Sequence, residues 1–421
     1  MKKKVVIVGA GTMGLHCAWF LVREGHEVEI IEAADKLDES GCSYGNCGFI
    51  VPSHFISLAS PAMLKSGLKM MVDRKSPVYL PVWKNIKNIP WFLKFIRAAN
   101  NRKVLRNAPV LFQLNETSKK LYSDITTEHP LNNGFRKNGL LMASVTGKGF
   151  EEEISLTHLA EELGISTKIL DTAKLRAIEP DIDFNIAGAV LYESDAHIQP
   201  EKHMGWLKTW LEEQGVIIHY REYVSKVEVN KNKIAALQTR KSKYQADEFV
   251  LAAGVHTTGL AKLAGLSVPI ISGKGYSIDF PVTEQKLRTP VILTEANVAI
   301  TPFKDKVRLG SGMEFSGTPG QIRYERVQAT LDRTRSAIPL FEPTDVRTLP
   351  VWEGMRPLSP DGIPYIGRTA KYSNLSIAAG HAMMGMSLGP VSGKIICDLI
   401  SGNQTDLCFE ATDPDRYNSS T

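Results

Sequence analysis

The chain has 421 residues, too many for one ordinary hydrophobic core, so two domains are expected. Its 50 Lys and Arg against 45 Asp and Glu leave a net charge of +5, which supports neither a nucleic-acid-binding protein nor a polybasic tail. Five cysteines, an odd number without a zinc-like pair of pairs, argue against a disulfide framework and a structural metal, and no apolar run approaches the roughly 20 residues that span a bilayer.

The apolar, β-branched run Val5-Val6-Ile7-Val8 reads as a buried parallel strand. It runs into Gly9-Ala10-Gly11-Thr12-Met13-Gly14, in which Gly9 and Gly11 permit a tight turn and close approach to a pyrophosphate, and Gly14 lets the next helix pack on the sheet. That helix, expected over Leu15 to Glu24, aims its N-terminal amides at the phosphates and ends near Gly25. A second strand, Val28 to Ile31, ends in Glu32, whose carboxylate stands where a ribose needs an acceptor. Together these features predict a dinucleotide site. Lys2-Lys3-Lys4 imitates a secretory leader, but three glycines interrupt the apolar stretch and no cleavage site follows, so an intracellular protein is expected.

Residues 55 to 130 read as helical. Residues 136 to 190 read as a strand, a helix over Glu151 to Leu163, and a loop. A helix follows over Glu201 to Gln214, then a strand Val216 to His219, a hairpin Val224 to Val229 with Ile234 to Thr239, and the strand Asp247 to Leu251. This last strand runs into Ala252-Ala253-Gly254, whose small residues leave room for a cofactor. Residues 268 to 353 read as a second sheet with a helix over Tyr324 to Ile338. The tail reads as a strand Asn374 to Ala379, glycine turns at Gly380 and Gly385, and a helix Val391 to Ile400. With no linker between these parts, the two domains are expected to interleave.

Late in the chain, Gly354-Met355-Arg356-Pro357-Leu358-Ser359-Pro360-Asp361-Gly362 precedes Gly380-His381. The prolines and glycines place Arg356 on a rigid turn, where a planar fork of donors suits a substrate carboxylate.

In this order, GAGTMG with Glu32, Ser43-Tyr44-Gly45-Asn46-Cys47-Gly48, the Val224 strand, VLAAG, Gly273-Lys274-Gly275-Tyr276-Ser277, GMRPLSPDGIPYIGR and AAGHAMMGMSLGP resemble the D-amino acid oxidase and dehydrogenase superfamily of FAD enzymes. The bacterial D-amino acid dehydrogenase small subunits are the most similar group. The resemblance implies an α/β fold: a Rossmann-type, glutathione-reductase-like FAD-binding domain (1–60, 190–267 and 355–421) interleaved with an α+β substrate domain on a mostly antiparallel sheet (61–189 and 268–354). It implies FAD contacts from Gly9, Gly11, Thr12, Met13, Gly14 and Glu32, and isoalloxazine contacts from Ser43, Asn46, Cys47 and Gly48. Val224 would serve the adenine, Ala253 and Gly254 would line the cofactor, and Gly380, Met383, Gly385, Met386 and Ser387 would wrap the pyrimidine side. Arg356 matches the arginine that grips the substrate carboxylate. Tyr276, His381 and His54 are candidates for tuning the reacting groups.

The resemblance therefore implies dehydrogenation of D-amino or cyclic imino acids by hydride transfer to flavin, with electrons passed to a quinone or another acceptor that is not oxygen. Non-covalent FAD is expected, since no cysteine stands where sarcosine oxidases attach theirs, and Ala382-Met383-Met384 carries no arginine where glycine oxidases have one. An oxygen-using glycine or sarcosine oxidase is the alternative within the class. A non-catalytic flavin subunit is another, against which Arg356 speaks. The insert from Pro61 to Arg106, with Trp83, Trp91, Phe92 and Phe95 among lysines, leaves two readings open: an ordinary helical cover, or a surface facing a quinone or the inner face of the cell membrane. The protein is expected in the cytoplasm, at most peripheral to that membrane, with no nucleic-acid partner.

Overall fold

The computed structural model describes the chain except residues 37–40, 71–75, 77, 82–84, 130–132, 316–319, 342, 408 and 419–421. Trp83 and Cys408 therefore lie outside the described residues. Val5 to Val8 sit in the middle of a six-stranded sheet of order Tyr365–Arg368, Leu375–Ala379, Glu248–Leu251, Lys4–Val8, Glu27–Ile31 and Ile217–His219. Every neighbouring pair is parallel except the edge strand Tyr365–Arg368. Both faces are buried, as a continuous apolar run in a parallel strand demands. Val5 and Ile7 pack with Leu15, Leu207 and Val391 of the helices Thr12–Arg23, Pro200–Glu213 and Gly385–Ser401. Val6 and Val8 face the other way, towards Ile234, Leu237 and Tyr244 of a three-stranded antiparallel sheet (Lys226–Asn230, Lys233–Gln238, Lys243–Tyr244). Each such side chain contributes about 1.5 to 3 kcal/mol by leaving water. The three layers, helix, parallel sheet and small sheet, form the Rossmann-type unit.

A second sheet runs in the order Val351–Leu358, Ile271–Pro281, Lys306–Glu314, Val298–Pro302, Val291–Leu293, Leu140–Ser144, Gly188–Tyr192 and Thr167–Leu170, with Val78–Tyr79 also pairing to Lys306–Glu314. It is antiparallel apart from the Val291–Leu293 pairing with Leu140–Ser144 and the Val78–Tyr79 pairing. Helix Tyr324–Ala337 covers Tyr276, Ile278, Val307 and Leu309 on one of its faces.

Several sequence expectations shift. The first helix starts at Thr12 and ends in a Schellman motif. Gly25 there has φ +87°, its N–H donates to the Val22 carbonyl at 2.9 Å, and the His26 N–H donates to Leu21 at 3.0 Å. The loop expected before residue 190 contains the strand Thr167–Leu170 and the helix Thr172–Ile178. The boundaries expected at 190 and 355 fall inside strands Gly188–Tyr192 and Val351–Leu358 of the second sheet. The last helix begins at Gly385, not Val391, and contains Pro390. Arg356 lies in the strand Val351–Leu358 rather than on a turn. That strand is at the sheet edge, where Pro357 costs no ladder bond.

Candidate active site

The glycine turn is built as its spacing predicts. An added Cβ on Gly14 would lie 1.8 Å from the Gly9 carbonyl oxygen, and one on Gly9 (φ +105°) would lie 2.6 Å from the Ala252 oxygen. The Ala253 Cα would lie 2.9 Å from that same Cβ, so the chain at Ala252 and Ala253 passes close against the turn, with Gly254 next. Glu32 accepts from the Ala10 N–H at 2.7 Å through one oxygen and from the Ala34 N–H at 2.8 Å through the other. Each oxygen keeps a lone pair for a further donor. A cleft here is lined by Ala10, Gly11, Glu32, Lys36, Ser43 and Tyr44 among others. An acid at one end, open space beside Gly11 and the start of helix Thr12–Arg23 fit the ribose and pyrophosphate of FAD. Val224 is buried two residues beyond Glu222, whose N–H bonds the Glu32 carbonyl at 3.0 Å, so it belongs to the same end.

The stretch Ser43 to Gly48 joins the two sheets. Ser43 Oγ accepts from the Thr12 N–H at 3.2 Å. Asn46 Oδ1 accepts from the Gly48 N–H at 2.7 Å, and its amide nitrogen donates to the Met383 carbonyl at 3.2 Å. Cys47 Sγ lies where a Cβ on Gly310 would be, 2.3 Å away, and burial pushes its thiol up to about 11, so it is a packed, protonated group. From the second sheet Arg308 donates to the carbonyls of Tyr44 at 2.8 Å and Asn46 at 3.0 Å, while Asp279 grips its guanidinium at 2.6 and 2.9 Å. Burial pushes the Asp279 carboxyl up, but its bonds to Arg308 and Lys306 outweigh this and hold it below the usual range. Sequence reasoning missed Arg308. Its only trace is a charge inside an apolar strand, and the Asp279 opposite it is 29 residues away.

Arg356 is paired opposite Gly273, with Gly275 opposite Gly354 and Ser277 opposite Trp352. Side chains at these positions share one face of the second sheet. An added Cβ on Gly275 would lie 2.0 to 2.4 Å from the Arg356 guanidinium, so the cation lies across a bare glycine, and it donates to the Gly312 carbonyl. The Trp352 ring fills the space beside Gly45 and Gly354 in the same way. Among the described residues no carboxylate pairs with Arg356, and burial lowers its pKa against weaker opposing effects of Cys47 and Cys42. A guanidinium that is half-buried and without a carboxylate partner favours an anion beside it.

Tyr276 is not brought to this cation. It alternates to the opposite face, where its hydroxyl donates to Glu314 at 2.9 Å. His381 is buried behind the Leu358 bridge, its Nε2 2.9 Å from Ser392 Oγ. Because Ser392 gives its proton to the Leu388 carbonyl, His381 Nε2 carries the hydrogen, and Nδ1 is left a bare acceptor. Burial pushes its pKa down to about 3. His54 sits deep yet keeps some accessible surface; burial pushes it down to about 4, and Ser53 links its Nδ1 at 3.2 Å to Asp195 at 2.5 Å. Gly380 turns at φ +80° between strand Leu375–Ala379 and the next segment. Gly385, Met386 and Ser387 open the last helix, with Gly385 facing Thr12 of the glycine turn. Ser387 Oγ accepts from Val51 N–H at 2.9 Å, and Met383 stays half exposed.

The Ser43 to Gly48 loop thus joins a dinucleotide cradle to a glycine-floored sheet face. Residues 4–399 match the DAO family, described as FAD dependent oxidoreductase, and the chain belongs to that family. It is 32% identical over 400 residues, 95% of each chain, to a protein of Helicobacter pylori named D-amino acid dehydrogenase. Among solved structures it is similar to a glycine oxidase from Geobacillus kaustophilus (TM-score 0.78, 21% identity, 99% of both chains). It is also similar to an L-proline dehydrogenase from P. horikoshii (TM-score 0.74, 19% identity, 99% and 98% of the chains). The cofactor is FAD, and the chain is an amino acid oxidoreductase of this family.

Proposed function

We propose that the protein dehydrogenates D-amino acids or cyclic imino acids, D-alanine-like or D-proline-like, and passes the electrons to a quinone or another acceptor that is not oxygen. The observation that carries this reading is Arg356, a half-buried cation without a carboxylate partner among the described residues, laid over Gly275 on a sheet face that meets the cofactor loop. Its guanidinium would hold the substrate carboxylate and so orient the α-carbon, which removes much of the orientational cost of reaction. FAD, which the Gly9 to Gly14 turn and Glu32 would hold, would supply the acceptor for a hydride from that carbon; the substrate would leave as an imine, which water converts to a 2-oxo acid unless the imine is cyclic. His54, which burial holds at about 4 and which is therefore fully neutral at pH 7, is the candidate for tuning the substrate amine. The name of the Helicobacter pylori relative supports the D-series. The segments 1–60, 190–267 and 355–421 serve mainly the cofactor, and 61–189 with 268–354 mainly the substrate, except that the strands Gly188–Tyr192 and Val351–Leu358, the latter carrying Arg356, belong whole to the substrate sheet.

FAD is held without a covalent bond, and acid precipitation should release it; flavin left in the pellet would refute this. The function is tested by a substrate screen with an artificial dye acceptor, run with and without oxygen. Small apolar or cyclic substrates should lead, and oxygen should replace the dye poorly. The Met383 to Met386 turn adds no second charge, and flexible thioethers suit apolar substrates. Rapid peroxide formation from glycine would sink the dehydrogenase reading, and a preference for D-aspartate or D-lysine would sink the apolar pocket.

A further inference from the structure

Charge is unevenly placed along this chain. Residues 61–106 hold eleven Lys and Arg and a single acid, Asp73, so this stretch carries +10 while the rest of the chain carries −5. The whole-chain value of +5 conceals the asymmetry. Within the stretch, the turn Ile86–Asn88 leads into the helix Ile89–Ala98. One face of that helix is already packed: Trp91, Phe92 and Phe95 lie over Ile271, Met313, Leu358 and Ala382, and the Trp91 indole donates to the Leu358 carbonyl at 3.2 Å. The other face presents Ile86, Ile89, Leu93 and Ile96, a continuous stripe at helical spacing, exposed by 63%, 51%, 49% and 52%. Lys87 and Arg97 stand exposed beside it. Leu105, 56% exposed, stands among the exposed Arg102, Lys103 and Arg106 at the start of the next helix.

We propose that this surface docks on an anionic lipid bilayer, with the isoleucine and leucine stripe sunk below the headgroups and the Lys and Arg on the phosphates. The combination of large aliphatic residues and cations on one exposed helix face is what the interface of such a membrane binds. Charge selects the bilayer over a second copy of the chain, because a two-fold contact through this face would bring the exposed Lys87 and Arg97 of one copy up to those of the other with no acid of the helix between them. The helix has ten residues, about 15 Å in length. No helix among the described residues is long and apolar enough to cross a membrane, so this one lies on the surface rather than through it. Docking disturbs no packing, since the aromatic face stays on the strand that carries Arg356. The proposal does not depend on which substrate is oxidised.

The test uses the full FAD-loaded chain, sedimented with vesicles of phosphatidylcholine alone or mixed with phosphatidylglycerol. Binding to the anionic vesicles should exceed that to neutral ones by about 10-fold or more, and should weaken as salt is raised. The triple change Ile89→Ser, Leu93→Ser and Ile96→Ser, and separately Lys87→Glu with Arg97→Glu, should each cut binding by about 10-fold or more. Both variants should keep flavin absorbance and dye-coupled turnover, which shows that they fold. A wild-type protein that stays in the supernatant, or a triple variant that pellets equally well, overturns the proposal. So does a wild-type dimer that the triple change splits into monomers without vesicle binding.

Discussion

Arg356 is positioned by what its neighbours lack. Gly275 has no side chain to occupy the space of the guanidinium, and Gly312 offers a carbonyl that takes one of its hydrogens. Two consequences follow for kinetics. Arg356→Lys keeps the charge but cannot make two parallel bonds, so kcat/KM should fall roughly 10- to 100-fold, the value of one charge-assisted bond, with flavin content unaltered. Gly275→Ala should produce a fall of similar size with Arg356 intact, because its methyl would sit inside the guanidinium. Wild-type kinetics in either variant, measured by dye reduction, would remove the carboxylate-anchor role. At the other end of the cofactor, Glu32→Ala should weaken FAD retention by about 1.5 to 3 kcal/mol. It also frees the Ala10 and Ala34 amides, so an affinity equal to wild type in a flavin titration would mean that the acid serves neither the ribose nor the turn.

The helix Gly385–Ser401 shows how an element can contradict its composition. Pro390 has no N–H for the Met386 carbonyl four residues before it, and that orphaned acceptor is taken by the Tyr122 hydroxyl at 2.7 Å from helix Asn101–Glu128. Tyr122→Phe should therefore leave a buried carbonyl unsatisfied and cost about 1 to 3 kcal/mol in urea unfolding. A variant as stable as wild type would show that the helix meets the need in another way. Two glycines of this helix are close-packing residues: a Cβ on Gly389 would lie 2.7 Å from His16 Nδ1, and one on Gly393 would lie 2.6 Å from the His16 backbone. The chemistry of the nucleotide turn was legible because strand, glycines, helix and acid lie within about thirty residues and each acts locally. Arg356 was legible as a residue but not as a strand position, since Pro357 signals a turn unless the strand is known to lie at an edge. The opposite facing of Tyr276 depends on strand register, and the Arg308 clamp on contacts between strands distant in sequence, neither of which a local pattern carries.

Across the whole molecule, buried titratable groups set a pH dependence whose sign can be worked out. Burial pushes His16, His54 and His197 down to about 4 and His381 to about 3, so each stays neutral in the fold where the unfolded chain would take up a proton. Their contribution is complete above the unfolded value near 6.5 and is lost as pH falls towards 4. Asp195 and Glu153 act oppositely. Burial raises both to about 7, more than Ser53 and Tyr192 respectively lower them, so the native state holds two protons that the unfolded chain releases above about pH 4. Near pH 5 these four histidines and His203, which burial holds well below its ordinary value, therefore oppose two carboxyls, and the unfolded state binds about three protons more, a slope of about 4 kcal/mol per pH unit in favour of stability at higher pH. The urea midpoint should drop steadily from pH 6.5 to pH 4.5. Asp195→Asn removes one opposing proton, so its midpoint should drop more steeply, by about 1.4 kcal/mol per pH unit once multiplied by the urea slope. A midpoint that rises on acidification, or an Asp195→Asn profile shallower than wild type, would show that these side chains are not the neutral groups their burial makes them.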